Sequence, residues 1–232
     1  MREIVLDTET TGFEPGEGHR LVEIGAVELF NHVPTGRTYH QYINPERAMP
    51  AEAFAVHGLG DDFLRDKPRF AQVAQDFLDF ISTDARLVIH NAAFDMKFLN
   101  AELAWAKLPP IPMDRALDTL AVARRKFPGS PATLDALCRR FGIDNSAREK
   151  HGALLDSELL AEVYLELTGG RQPDFALSVL PDRSGQDQID TAWRPAPRPV
   201  ALAARITVAE VEAHRAFVTG LGEGAIWLRF EV

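Results

Sequence analysis

The sequence predicts an α/β fold in which a mixed sheet is flanked by helices and followed by a C-terminal extension. Short runs of apolar and β-branched residues come first, and such runs are typical of strands. From Phe70 the apolar residues recur with the period of a helix. After Gly170 the composition shifts to proline and short polar stretches, which is typical of a linker. These three observations favour one α/β domain with an appended tail.

The order of elements follows from these periods. Strands are predicted at residues 3–6, 21–30, 38–43 and 87–89. The helix between the last two has its apolar face at residues 70, 73, 74, 77, 78 and 81. Later helices are predicted at residues 93–106, 120–126, 133–141 and 153–167. Strands followed by alternating helices and another strand indicate a mixed sheet with helical layers.

Three segments are predicted along the chain. Residues 1–170 form the α/β domain, and residues 171–200 hold five of the fifteen prolines and are expected to be a linker. In residues 201–232, Thr207 is a candidate N-cap with Glu210 three residues later, which predicts a helix to about residue 219. About thirty residues bury little surface alone. We therefore expect this tail to dock on another protein, and packing against its own domain is the alternative.

Composition excludes several protein classes. With 46% hydrophobic and 25% charged residues, the chain is typical of a globular protein. The single cysteine, Cys138, excludes an internal disulfide, and with no export signal or membrane-length apolar run we expect a cytoplasmic protein. The net charge of −9 argues against a broad basic face for nucleic acid. Carboxylates that bind metal ions could still contact a phosphate through those ions. The acidic charge implies that the protein alone binds DNA weakly.

The first candidate site is a pair of carboxylates at the end of a strand. Asp7 and Glu9 follow the apolar run at residues 4–6, and their side chains project to the same side because strand residues alternate. Two carboxylates this close repel unless a cation lies between them. Oxygen ligands favour Mg²⁺ or Mn²⁺. The alternative is a solvated strand end without function.

Two later motifs add further polar candidates. Asp95 is predicted in the first turn of a helix, where the helix dipole alone would also favour an acid. Asp156 lies beside Leu155 and Leu159 on an apolar stripe, so its carboxylate must be paired or bound to metal. His151 is expected in the loop that enters the same helix. A lone loop histidine usually has no function, so the order of the motifs carries the argument.

That order, Asp-x-Glu, then Asp, then His-x4-Asp, resembles the DEDDh exonucleases, which have a ribonuclease H-like fold with a mixed five-stranded sheet. Within them the chain is most similar to the proofreading (epsilon) subunits of bacterial DNA polymerase III. The similarity covers residues 2–170, and its most specific parts are VIHNAAFD at residues 88–95 and HGALLD at residues 151–156. The loop at residues 13–20 and the tail diverge from the family.

The resemblance implies a 3′→5′ exonuclease that releases nucleoside 5′-monophosphates. Asp7, Glu9 and Asp156 would hold two divalent ions, Mg²⁺ or Mn²⁺, and Asp95 would complete the acidic site. His151 would be the general base, since histidine titrates near neutral pH. The implied contacts to the terminal nucleotide are Thr8, Phe54, His57, Asn91 and Phe94. Core packing of Phe54 and Phe94 stays open, and Asp118 is either a family acidic position or a helix cap.

The tail has its own implied role. In the family it tethers the exonuclease to the alpha (polymerase) subunit of DNA polymerase III. The candidates for that surface are Val208, Val211, Phe217, Ile226, Trp227 and Leu228. Residues 172–177, beginning with Gln172, are similar to a segment that binds the sliding clamp.

Two other functions remain open from the sequence. One is an RNA-trimming exonuclease of the same superfamily. Such an enzyme would differ from a DNA enzyme in recognising the 2′-hydroxyl of its substrate. The other is a binding module that lost catalysis, which is disfavoured because all five residues of the expected site are present.

Overall fold

A computed structural model describes residues 1–148, 150–169, 206–222 and 226–229 of the chain. The strands are β1 (Arg2–Thr10), β2 (Leu21–Phe30), β3 (Val33–Tyr42), β4 (Arg86–Ile89) and β5 (Ala116–Asp118). They form one sheet in the order β3-β2-β1-β4-β5. The central strand β1 pairs antiparallel with β2 and parallel with β4. The predicted mixed five-stranded sheet is therefore confirmed.

Eight α-helices are present in the described residues. They are α1 (Ala51–His57), α2 (Asp61–Leu64), α3 (Phe70–Ile81), α4 (Ala92–Trp105), α5 (Thr119–Lys126), α6 (Leu134–Phe141), α7 (Ala153–Thr168) and α8 (Val208–Gly220). Three short 3₁₀ helices lie at Pro15–Glu17, Met113–Arg115 and Ile226–Arg229.

The sheet separates two hydrophobic clusters, and β1 contributes to both. Ile4 and Leu6 pack with residues of α3 and α4 on one face of the sheet. Val5 packs with residues of α5, α6 and α7 on the other face. Because side chains alternate along a strand, Asp7 and Glu9 share the face of Val5, towards α7. Thr8 points towards α4.

The start of α7 lies directly against β2 at Gly25. A Cβ atom at Gly25 would come within 2.2 Å of the backbone of Ala153 and Leu154, so a glycine is required for this approach. The Ser157 hydroxyl donates to the Gly25 carbonyl oxygen at 2.9 Å. Gly25 is also the register partner of Asp7. The first turn of α7 is thereby placed next to the end of β1.

The structure lengthens β1 and β3 relative to the prediction and adds three short elements, α1, α2 and β5. Strand β3 begins at Val33 rather than at residue 38. The prediction missed its first half because those residues are exposed and show no alternation of apolar residues. Helices α1 and α2 and strand β5 have seven, four and three residues, which is too short to carry a readable period. The C-terminal helix is confirmed as α8, with the predicted capping box between Thr207 and Glu210.

Three other expectations concern the remainder of the chain. Cys138, the single cysteine, is fully buried on α6. In the portion that the structure describes, no helix combines the length and apolarity that crossing a membrane requires. The linker and the clamp-binding candidate at residues 172–177 lie outside the described residues. The chain divides into two compact units, Met1–Leu177 and Ser178–Val232.

Candidate active site

The five expected site residues come together from three parts of the fold. Asp7 and Glu9 stand at the end of β1, and Asp95 lies in the first turn of α4. Asp156 lies in the first turn of α7, and His151 lies in the loop that precedes it. Glu9, Asp95 and Asp156 are buried, whereas the His151 side chain is 49% exposed. A cluster of buried acids therefore meets one accessible imidazole.

The geometry of a possible metal centre is clearest around Glu9. One ligand atom each of Glu9, His151 and Asp156 lies within 4.8 Å of the other two. The Glu9 Oε1 atom is buried and has no hydrogen-bond partner among the described residues. An orphaned carboxylate oxygen beside a second carboxylate fits a hard cation.

This metal-ligating cluster differs from the expected set of Asp7, Glu9 and Asp156, because His151 stands in place of Asp7. The His151 imidazole makes two close contacts with other side chains of the site. Its Nδ1 atom lies 3.4 Å from Asp156 Oδ2 and 2.9 Å from Arg148 Nη2.

The raised pKa values of Asp7 and Glu9 show that few positive charges lie near these carboxylates. Burial, followed by the charges of Asp95, Glu9 and Asp156, raises the pKa of Asp7 well above its ordinary value. Burial and the nearby Asp156 raise the pKa of Glu9 to about 8. Divalent cations would relieve this repulsion, so the residues present fit the metal ions that the sequence predicts.

Asp95 is held differently from the other acids. The Thr8 hydroxyl donates to Asp95 Oδ1 at 2.7 Å, which joins β1 to α4 inside the site. Burial raises the pKa of Asp95 to about 7, although the hydrogen bond from Thr8 acts in the opposite direction.

Arg148 is a site residue that the sequence reasoning missed. Its Nε and Nη2 atoms donate to the two oxygens of Asp156 at 2.5 and 2.7 Å, and its Nη1 donates to Asp135 Oδ1 at 2.7 Å. Burial acts to raise the pKa of Asp156, but the nearby His151 ring and the hydrogen bonds from Arg148 outweigh it and hold that pKa below its ordinary value. Asp156 was expected to be paired or bound to metal, and in this structure its carboxylate is paired with Arg148.

His151 is fixed by its backbone and by one side-chain contact. Its backbone N–H donates to the Val56 carbonyl oxygen at 3.2 Å, which ties the loop to α1. Its Nδ1 atom faces Arg148 Nη2. A guanidinium group has no lone pair to offer, so Nδ1 must be the acceptor and a neutral ring carries its proton on Nε2.

A cavity of about 570 Å³ opens beside the carboxylates. Three of the predicted nucleotide contacts, Thr8, His57 and Phe94, line it, together with Asp7, Glu9, Asp95 and His151. Residues that the sequence did not single out also line it, among them Glu52, Val56 and His90. Those on α1 carried no signal because the helix itself was not predicted.

The other two predicted nucleotide contacts lie outside the lining of this cavity. The Phe54 side chain is 45% exposed, so the core-packing alternative is wrong for this residue. Lys150 Nζ lies 5.1 Å from the centre of the Phe54 ring. Asn91 adopts a positive φ of 67° at the start of α4, and its backbone N–H donates to Asp118. Phe94 is partly buried against the core and also faces the cavity.

Asp118 and His57 also have defined partners. Asp118 accepts from the backbone N–H of Leu120 at 2.9 Å, so it caps α5 as one interpretation predicted. His57 Nδ1 accepts from the Leu59 N–H at 3.0 Å, while its buried Nε2 has no partner in the described part of the chain. Burial lowers the pKa of His57. A neutral His57 therefore carries an unsatisfied donor at the cavity wall.

A second cavity, of about 680 Å³, lies on the other side of the carboxylates. It shares Asp7, His90 and His151 with the first cavity and adds Asp156. Its remaining wall includes Arg124, Thr133, Asp135 and Arg148. The acids and the imidazole thus stand between two adjoining cavities.

Comparison with known proteins gives consistent results. The model of the exonuclease family matches residues 4–164. The DNA polymerase III subunit epsilon of Rickettsia felis is 50% identical, over 95% of this chain and 97% of that protein. The protein of the same name from Escherichia coli K12 is 46% identical, over 97% of each chain.

Solved structures show the same fold. The nuclease domain of 3′hExo, a DEDDh family member bound to rAMP, has a TM-score of 0.63 and 22% identity, and the match covers 72% of this chain and 91% of that one. Exonuclease X in complex with 5′ overhanging duplex DNA has a TM-score of 0.54 and 23% identity, over 71% and 90% of the two chains. The predicted ribonuclease H-like architecture is confirmed by these matches.

Proposed function

We propose that this chain, which belongs to the exonuclease family and within it to the DNA polymerase III epsilon subunits, removes mispaired 3′-terminal nucleotides from DNA as the proofreading 3′→5′ exonuclease of a replicative polymerase. The observation that carries the proposal is the convergence of four acids and His151 beside a cavity of about 570 Å³. The name shared by its relatives supports the assignment to a polymerase.

We assign Asp7, Glu9 and Asp156 as ligands of two divalent ions, Mg²⁺ or Mn²⁺, with Asp95 completing the acidic site. The unpartnered Glu9 Oε1 atom and the raised pKa values of Asp7 and Glu9 support this assignment. When bound, such ions supply positive charge to the scissile phosphate and make a nearby water more acidic.

His151 is the proposed general base. Its half-exposed imidazole can reach a water at the cavity, and its backbone bond to Val56 limits its motion. It would accept a proton from the water that attacks the terminal phosphorus. The bond between that phosphorus and the 3′-oxygen of the penultimate nucleotide would break. The product is a nucleoside 5′-monophosphate.

The cavity beside the acids is the proposed pocket for the terminal nucleotide. Phe94 presents a ring that can stack on a base without reading its identity. Thr8 and His57 contribute polar side chains to its lining. Phe54 and Asn91, outside this lining, remain predicted contacts for the strand.

The C-terminal unit is the proposed attachment to the alpha subunit of DNA polymerase III. Of the six candidate residues, Val208, Phe217, Ile226 and Trp227 are exposed. These exposed apolar side chains are the ones available to contact a partner. Residues 172–177 remain the proposed segment for the sliding clamp.

One digestion experiment tests the substrate and the metal together. DNA and RNA oligomers of the same sequence, with paired or mispaired 3′ ends, are incubated with the protein in Mg²⁺, in Mn²⁺ or in chelator. We expect mispaired DNA to be shortened fastest, with 5′-monophosphates as products, and chelator to stop the reaction. Faster digestion of RNA than of DNA would support the RNA-trimming alternative instead.

Variants of the site test the residue roles. Asp7→Ala and Asp156→Ala should abolish cleavage while the protein stays folded, and Asp76→Ala on the exposed face of α3 is the matched control. His151→Ala should lower kcat by roughly 10²–10⁴-fold, the range for loss of a general base. Near wild-type cleavage by either aspartate variant would refute the ligand assignment, and a loss below tenfold would reduce His151 to a positioning residue.

A further inference from the structure

Arg148 makes four polar contacts inside the proposed metal site. Two of them take both oxygens of Asp156, at 2.5 and 2.7 Å, and a third reaches His151 Nδ1 at 2.9 Å. The fourth reaches Asp135 Oδ1 at 2.7 Å. The arginine side chain is only 7% exposed, so these are contacts of a buried cation.

The first three contacts occupy groups that the proposed reaction needs. A divalent ion on Asp156 would meet the guanidinium charge at hydrogen-bond distance, where two cations repel strongly. The hydrogen bond donated to His151 Nδ1 uses the lone pair of the proposed base. Arg148 in this position is therefore compatible with a resting site and opposes a metal-loaded one.

The fourth contact gives Arg148 a place to withdraw to. Asp135 lies on α6, its side chain is 50% exposed, and its Oδ1 also accepts from the Asn145 side chain at 3.0 Å. Asp135 and Arg148 both line the second cavity, of about 680 Å³. A guanidinium released from Asp156 can keep its bond to Asp135 while it turns towards that cavity.

We propose that Arg148 is a positioning residue that holds Asp156 and His151 in the metal-free protein and withdraws towards Asp135 when the divalent ions bind, so that it sets the metal affinity. This inference rests on the proposed function, because Asp156 must be a metal ligand. Until a cation arrives, Arg148 compensates the buried carboxylate. It leaves without breaking its bond to Asp135.

Direct measurement of metal binding tests the exchange. Mn²⁺ is titrated into chelator-treated wild type, Arg148→Gln and Arg148→Lys, and free Mn²⁺ is followed by electron paramagnetic resonance. Removing a charge-assisted pair that competes with the ion should tighten binding by about 10- to 100-fold in Arg148→Gln. Arg148→Lys, which keeps the charge but cannot bind both oxygens, should lie between the two. Unchanged or weaker binding in Arg148→Gln would overturn the proposal.

A matched control separates this effect from net charge. Arg139→Gln removes an exposed arginine on α6 whose guanidinium touches only the Asp135 backbone oxygen among the residues described. Its Mn²⁺ affinity should stay within about twofold of wild type, since surface charges are screened. An equal gain in Arg139→Gln would assign the effect to bulk charge and overturn the exchange.

Thermal unfolding and one further variant complete the test. Arg148→Gln removes the two hydrogen bonds that Asp156 accepts from Arg148, so its Tm in chelator should fall, and saturating Mn²⁺ should raise its Tm by more than that of wild type. An equal rise in both proteins would contradict the proposal. Asp156→Asn should lose the Mn²⁺ site, and if it bound Mn²⁺ like wild type, the proposed function would fail as well. Loss in Asp156→Asn with no change in Arg148→Gln would refute only the exchange.

Discussion

Glu9 illustrates how burial and nearby acids change the protonation of a site carboxylate before any cation is bound. It is buried next to its register partner Glu23 and close to Asp156, and one of its oxygens has no partner among the described residues. Its pKa rises from an ordinary value of 4.5 to about 8. Between these two pH values the folded protein keeps a proton that the unfolded chain releases.

The stability of the metal-free protein should therefore fall as pH rises from about 4.5 to about 8. The sign follows because the folded state binds more protons than the unfolded state in this window, and deprotonation favours the state with the lower pKa. Thermal unfolding in chelator, followed by circular dichroism at several pH values, measures the slope. Glu9→Gln should flatten it, and the exposed Glu158→Gln should not. A Tm that rose across this window would contradict the prediction.

Some site residues could be predicted from the sequence and others could not. The alternation of β1 placed Asp7 and Glu9 on one side, and the apolar stripe of α7 indicated a buried Asp156. Arg148 carried no such signal, because its loop has no period and its partners are eight and thirteen residues away. Long-range geometry alone decides which loop side chain folds back onto a carboxylate.

The approach of α7 to β2 is the contact that assembles the site from separate elements. The backbone at Ala153 and Leu154 rests where the side chain of any residue other than glycine would stand at position 25. Since Gly25 is paired with Asp7, the distance between this helix and this strand also sets the distance between Asp156 and Asp7.

Gly25→Ala should accordingly damage both stability and activity. The added Cβ would lie 2.2 Å from backbone atoms, and overpacking of this kind costs about 1–3 kcal/mol. A displacement of Asp156 by about 1 Å would lower kcat by about 10²-fold. Urea denaturation and single-turnover cleavage measure the two effects. Gly16→Ala, whose Cβ would have no neighbour closer than 3.9 Å, is the control and should change little.

Predictability of the elements depended on their length and exposure. Helix α3 was found with its bounds because twelve residues repeat the helical period several times. Helix α2, with four residues, completes about one turn, so no period can be read from it. The exposed half of β3 has no buried face to produce alternation. Because helix α1 was not predicted, the part of the cavity wall that it forms was not anticipated.

The two compact units of the chain carry different parts of the proposed function. The first unit contains the sheet, the acids and His151, and the second contains α8 with its exposed apolar residues. The net charge of −9 gives the protein little general attraction for DNA. We therefore expect a partner to deliver the 3′ end.

Deleting residues 171–232 should separate these roles. The shortened protein should still digest short single-stranded DNA, because the sheet, α7 and all five proposed site residues lie before residue 171. It should no longer associate with the alpha subunit of DNA polymerase III, which size-exclusion chromatography of the mixture measures. The matched variant Phe217→Glu in the full chain should weaken association while leaving the nuclease domain intact. Loss of nuclease activity together with association would show instead that the tail belongs to the catalytic fold.

Gly25, the register partner of Asp7, also bears on the mutation rate of a cell that carries this protein. Every single-base change in the first two positions of a glycine codon that yields another amino acid adds a side chain, so each such change at Gly25 would push the helix from the strand. Under the proposed proofreading function, we expect a cell with that allele to leave more replication errors. We expect Gly25 to be a position where mutator strains arise although every catalytic side chain is intact.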